Sequence, residues 1–219
     1  MDTNALLHGL VLYLCFIPIL TFHEFAHAWV AWKCGDPTAR DLGRVTLNPI
    51  AHIDAIGTVV LPLLAVTLGA AGSGLASFII GWGKPVPVNI ANLRHRRRDD
   101  TLVALAGPAM NVVLAIVVMA IARLALAPGG EASNKIAEAG VTLATLSLFL
   151  CFFNLLPVPP LDGSHVLKNF IGMSEETYLR LCQFGFIAVI LVIQIPVVRE
   201  TIGTATFGTL KLIAKPLGL

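Results

Sequence analysis

The chain has 219 residues, 56% of them apolar and 13% charged, against about 25% charged in ordinary soluble domains. Mean hydropathy is +0.82 and net charge +2, and residues 55–83, 101–122, 139–161 and 181–198 carry no Asp, Glu, Lys or Arg. This excludes a soluble globule, a disordered chain and a secreted disulfide scaffold, makes nucleic acid an unexpected partner, and predicts an all-α polytopic protein of the lipid bilayer, whose spans need about 20 apolar residues each.

Five to six transmembrane helices are expected, with short extended or re-entrant segments between them. The first runs from about Asn4 to Trp32. Ala26-His27-Ala28 resembles a leader cleavage site, but no Lys or Arg precedes the run, and about 25 apolar residues is long for a leader. It is read as a permanent span. Lys33 to Asp54 follows as a polar loop with turns at Gly35-Asp36-Pro37 and Asn48-Pro49, and the alternation Arg44-Val45-Thr46-Leu47 predicts a short strand.

Residues 55–83 are apolar but broken by Pro62 and several glycines; they form either a span with an irregular return or a re-entrant hairpin. Lys84-Pro85-Val86-Pro87-Val88-Asn89 must be extended, since each proline disfavours helix in the residue before it. Arg94, Arg96, Arg97 and Arg98 close that loop. A span over about 100–126 contains Ala104, Ala106, Gly107 and Ala109, small residues that admit a close neighbouring helix. Pro128-Gly129-Gly130 ends it. The next span, 137–156, runs into Pro157-Val158-Pro159-Pro160-Leu161-Asp162-Gly163. A short amphipathic piece leads to a span at 178–197, and the tail 200–219 is a surface helix or a sixth span. Cys15, Cys34, Cys151 and Cys182 have no paired spacing and read as reduced thiols.

Positive residues favour the cytoplasmic side. Lys33, Arg40 and Arg44 follow the first span and none precedes it, so the expected N-terminus is outside and the 33–54 loop inside. The Pro-rich end of the 137–156 span then falls on the same cytoplasmic side.

His23-Glu24-Phe25-Ala26-His27 is an HExxH sequence. On a helix, i and i+4 share a face, so two imidazoles can grip one Zn²⁺ while Glu24 acts on a metal-bound water. Polar groups at this depth cost roughly 2–3 kcal/mol or more each, which argues against three without a metal. The third ligand must come from Asp36, Asp41, His52, Asp54 or Asp162. Asp36 and Asp41 read as solvated or capping residues, while His52 and Asp54 stay rivals. Asp162 is favoured because three prolines before it deny a regular helix, and unwound backbone at that depth needs protein or a water-filled cavity around it. Asn154, eight residues earlier, suits either an interhelical hydrogen bond or a catalytic contact. His95 and His165 read as interfacial and Asn111 as a packing contact.

HEFAH within a span, followed by Asn154-Leu155-Leu156-Pro157-Val158-Pro159-Pro160-Leu161-Asp162-Gly163 in a later one, resembles the site-2 protease family of intramembrane zinc metalloproteases. Leu47–Asp54, Gly81–Asn89 and Gly107-Pro108-Ala109-Met110-Asn111 extend the likeness over about 5–170, to the short prokaryotic branch without a PDZ-like or nucleotide-binding module and without a span before HExxH. The resemblance implies one Zn²⁺ per chain on His23, His27 and Asp162, with Glu24 and Asn154 catalytic. It also implies hydrolysis in or near the transmembrane segments of membrane-protein or peptide substrates.

That reading makes residues 1–219 a single integral-membrane metalloprotease domain, with a catalytic core at about 5–170 and C-terminal helices over 177–219. The expected location is the cytoplasmic membrane, multi-pass, with the site facing the cytoplasm. Arg44–Leu47 and Lys84–Val88 are the expected receivers of an unwound substrate stretch. The alternative is a divalent-metal transporter or ion pathway through His8, His23, His27 and Asp162. His8 lies about 22 Å from His23 along a helix, so it suits a relay but not a shared ion.

Overall fold

The computed structural model describes residues 2–78, 81–126 and 129–218, and among these every regular element is helical. Pro128 of the expected turn and Ile79 and Ile80 of the expected apolar return lie outside the described residues. The chain divides into two units, Met1–Arg94 and His95–Leu219.

The first unit is organised by α1 (Thr3–Lys33), which starts where the Asp2 carboxylate accepts from the amides of Asn4 and Ala5. This cap supplies acceptors for amides that have no partner within the helix. The buried residues of α1 all fall between Ile19 and Ala31, and three of them are alanines, so other chain can approach its C-terminal half closely. A four-residue helix α2 (Thr38–Asp41) follows. A π-helical turn (Ala55–Val60) then leads into α3 (Leu61–Ala70), which has Pro62 in its first turn. α3 runs antiparallel to α1: the Asp2 amide donates to the Ala70 carbonyl at 2.8 Å, and Gly9 of α1 faces Val66.

The second unit is built on α4 (Arg96–Ala125) and α5 (Glu131–Asn154). α4 buries Val103, Ala104, Gly107, Asn111, Ala115, Met119 and Ala122, a stripe at helical spacing. Ala115 and Met119 meet Ala144 and Leu148 of α5 in the core. The Ser147 hydroxyl donates to the Asn111 carbonyl at 2.8 Å, so Asn111 sits at the expected packing position. Three shorter helices follow: α6 (Asp162–Ile171), α7 (Glu175–Cys182) and α8 (Gly185–Ile193). α9 (Pro196–Leu217) lays Leu210, Ile213, Ala214 and Leu217 on the α4–α5 core.

Among the described residues, α1, α4 and α5 are long and apolar enough to span a bilayer, and α7 with α8 makes a fourth if that pair, bent by 64°, counts as one. This is fewer than the expected five to six. Ala55–Ala70 is apolar but short, about 24 Å at 1.5 Å per residue. The expected 178–197 span is interrupted at Gln183 and Phe184. α9 carries Arg199, Glu200, Lys211 and Lys215 and is not among the spans. Arg44–Leu47 forms no strand, because its polar groups are engaged elsewhere: the Arg44 guanidinium donates to the carbonyls of Lys84 and Pro85, and the Thr46 carbonyl lies 2.9 Å from His52 Nε2.

Candidate active site

α1 brings its two histidines together in a buried setting. His23 is 3% exposed, Glu24 9% and His27 8%. The two Nε2 atoms lie 3.1 Å apart, with the rings edge-to-face at 82°. Two ligand atoms about 2.0–2.1 Å from a tetrahedral zinc stand roughly 3.3–3.4 Å apart, so this pair suits one zinc ion. One helical turn creates the arrangement, as the i, i+4 spacing requires.

The extended chain of residues 81–89 lies against this part of α1. A Cβ added to Gly83 would sit 2.8 Å from Leu20 Cδ1 and 3.2 Å from Glu24 Oε1, so the backbone passes close to the carboxylate. Hydrogen bonds hold the segment along its length. The Trp82 amide donates to the Gly57 carbonyl at 3.0 Å and the Lys84 amide to the His52 carbonyl at 2.9 Å. The Thr58 hydroxyl donates to the Trp82 carbonyl at 2.8 Å, and the Asn89 amide donates to Asp36 Oδ2 at 2.6 Å. Gly83→Ala therefore crowds the Leu20 tip and, by a few tenths of an ångström, the Glu24 carboxylate. The expected result is zinc content unchanged and kcat lowered by no more than about 10-fold, below the roughly 100-fold that a misplacement of about 1 Å can cost; metal analysis alongside turnover checks it.

Arg44 is 6% exposed. Burial pushes its guanidinium pKa down, opposed by the nearby Glu24 charge, so a cation stands close to the carboxylate within this unit. Asp36 is fully buried and accepts from the Thr38 amide at 3.1 Å, so of the expected solvated or capping roles it takes the second. Burial alone would raise its pKa, but hydrogen bonds from Thr38, Asn92 and Asn89 outweigh this and hold it below the usual carboxylate range. It ties the end of α1 to the Pro-rich segment. His52 is 1% exposed and its ring faces the Thr46 carbonyl. Asp54 accepts from the amides of Ile56 and Gly57. Asp41 pairs at the surface with Arg40. All four rivals for the third ligand position thus serve local structure in the first unit.

In the second unit Asp162 is the first residue of α6 and half-buried, with its Oδ2 atom shielded from solvent. The turn before it is tight: a Cβ on Gly163 would stand 2.2 Å from the Leu155 carbonyl oxygen. Asn154, the last residue of α5, donates its side-chain amide to the Leu150 carbonyl at 3.1 Å. His165 is not merely interfacial, since its Nδ1 lies 3.3 Å from Asp100 Oδ1. His95 lies at the start of α4, where its amide donates to Asp99.

The chain matches peptidase family M50 over residues 11–139 and 123–193. It is 35% identical over 181 residues to "Putative zinc metalloprotease YwhC" of Bacillus subtilis, covering 80% of this chain and 76% of that protein. It is 30% identical over 185 residues to "Putative zinc metalloprotease Rip2" of Mycolicibacterium smegmatis, covering 83% and 65%. It is 33% identical over 180 residues to the protein of that name from Mycobacterium tuberculosis H37Rv, covering 81% and 64%. No solved structure matches the chain.

Proposed function

The chain belongs to peptidase family M50, the site-2 proteases, and on that premise we propose that it cleaves peptide bonds in or near the transmembrane segments of membrane proteins. It is a metalloendopeptidase of the membrane with zinc as its cofactor. The reading takes residues 1–219 as one catalytic domain of the cytoplasmic membrane, opening toward the cytoplasm. The family match, which runs from residue 11 to residue 193 across both units, supports that extent.

In this reading His23, His27 and Asp162 hold the zinc. The observation that carries it is the buried pair of imidazole nitrogens 3.1 Å apart, with Glu24 beside them on a spanning helix. Bound zinc supplies Lewis-acid activation of water and of the scissile carbonyl. Glu24 takes the proton of the attacking water and passes it to the leaving amine. The Asn154 amide leaves the Leu150 carbonyl and donates to the developing oxyanion. Arg44 and the backbone of residues 81–89 keep the Glu24 carboxylate in place. The substrate helix must unwind to present its carbonyl. Arg44–Leu47 and Lys84–Val88, neither of which is in a helix or strand, are the proposed receivers of the unwound stretch.

Removal of the metal tests the assignment. Stripping the purified protein with a chelator abolishes cleavage of a single-span substrate, and one equivalent of zinc restores it. Cleavage that survives stripping, or that zinc does not restore, contradicts it. A metal-transport role predicts instead zinc flux into sealed liposomes with no proteolysis.

A further inference from the structure

α6 has ten residues and its N-cap, Leu161, makes no side-chain cap hydrogen bond. A helix of that length is not stable by itself, and something must set where its first residue, Asp162, stands. One face of α6 is charged and polar, and all of it converges on a single carboxylate of α4. Lys168 Nζ lies 2.9 Å from Asp100 Oδ2. Asn169 Nδ2 donates to the same oxygen at 2.7 Å and to Thr101 Oγ1 at 3.1 Å. His165 Nδ1 lies 3.3 Å from Asp100 Oδ1. Both Asp100 and Lys168 are 3% exposed.

α7 closes the cluster from the other side. Glu175 Oε2 is 3.0 Å from Lys168 Nζ, and the Tyr178 ring lies under the same ammonium at 4.9 Å. The Tyr178 hydroxyl is 2.8 Å from Ser164 Oγ.

A buried ion pair is weak evidence for stability, because desolvation offsets much of the attraction. In some proteins such a pair is kept because it selects one arrangement of the elements it joins. Asp162, His165 and Asn169 follow the i, i+3, i+7 spacing that places them on one face of α6. His165 and Asn169, two of the three side chains that grip Asp100, therefore share a face with Asp162, while Lys168 reaches Asp100 from about 120° round the helix, and any rotation of α6 that loosens the grip also moves that carboxylate.

We infer that Asp100 is a positioning residue, which sets the Asp162 carboxylate through His165, Lys168 and Asn169 and so sets the protein's affinity for zinc. This inference rests on Asp162 being a zinc ligand. Partners behind metal ligands are typically worth about 10–100-fold in affinity, and the same scale is expected here.

The test is equilibrium zinc affinity, by chelator competition, on the full-length protein in detergent. The variants are Asp100→Asn, Lys168→Met and the control Asp99→Asn. Asp99 is 5% exposed and its carboxylate accepts from the His95 amide and faces the His95 ring, so it matches Asp100 in burial while its partner lies at the start of α4 rather than on α6. Asp100→Asn and Lys168→Met should each weaken zinc binding by about 10–100-fold, while Asp99→Asn stays close to wild type. Unchanged affinity in Asp100→Asn, or an equal loss in Asp99→Asn, overturns the inference. If Asp100→Asn does not fold, His165→Gln substitutes for it: weaker zinc binding supports the role, and wild-type binding overturns it. Asp162→Ala is measured alongside. Wild-type affinity in that variant means that the ligand assignment has failed and the inference with it, whereas loss there with no change in Asp100→Asn condemns the inference alone.

Discussion

Asp162→Ala is expected to bind zinc at least about 100-fold more weakly than wild type and to show no measurable peptidase activity. The scale follows from the partners behind metal ligands, whose loss already costs about 10–100-fold; a ligand itself is worth no less. The fold should survive, because Asp162 lies at the first position of α6 and Leu161, not Asp162, is its N-cap. His52→Ala is the matched comparison. His52 is buried and its ring faces Thr46, so its loss loosens the 44–52 loop but leaves zinc affinity near wild type. Zinc titration of the two variants separates the rivals. Loss of zinc in His52→Ala with retention in Asp162→Ala reverses the assignment.

Glu24→Gln is expected to slow hydrolysis by about 10²–10⁴-fold, the usual worth of a general base, while zinc stays bound. Glutamine has the size of glutamate, so it fills the space beside Gly83 and Leu20 without forcing the backbone of residues 81–89 away. It differs in the one property that the chemistry needs, a carboxylate able to accept and return a proton. The burial of Glu24, at 9% exposed, and the cation of Arg44 close to it make its environment sensitive to charge. The check is kcat together with metal content in one preparation. A drop in both would mean that Glu24 supports the metal rather than the proton transfer.

The histidine pair was legible because it depends on a local rule. Residues i and i+4 of a helix share a face whatever surrounds them, and the structure places His23 and His27 accordingly. The long helices α1, α4 and α5 were legible for a similar reason, since an uncharged apolar run of that length has few other uses. The cost of polar groups in lipid made HExxH stand out within α1.

Features that depend on partners distant in the chain were not legible. Asp36 reads as a solvated or capping residue; it does accept from the Thr38 amide, but its full burial was not legible, because Asn89 and Asn92, over fifty positions away, come to meet it. The strand expected at Arg44–Leu47 had the right alternation but no partner strand; its arginine turned inward to the carbonyls of Lys84 and Pro85. Lys168 follows a surface-like pattern in a short amphipathic helix, and only the fold shows Asp100 waiting for it. Among the described residues three helices, or four with the bent α7–α8 pair, are long and apolar enough to span. Hydropathy registers apolar length, and neither the shortness of Ala55–Ala70 nor the interruption at Gln183 and Phe184.

The most direct test of the central claim is to map cleavage products by mass spectrometry. Zinc-loaded protein is reconstituted in liposomes with a single-span substrate that carries a helix-breaking residue, and Glu24→Gln serves as the blank. The account predicts new ends within or at the edge of the apolar segment with wild type and none with Glu24→Gln. Cuts confined to the soluble flanks, or the same products from Glu24→Gln at the wild-type rate, would contradict it.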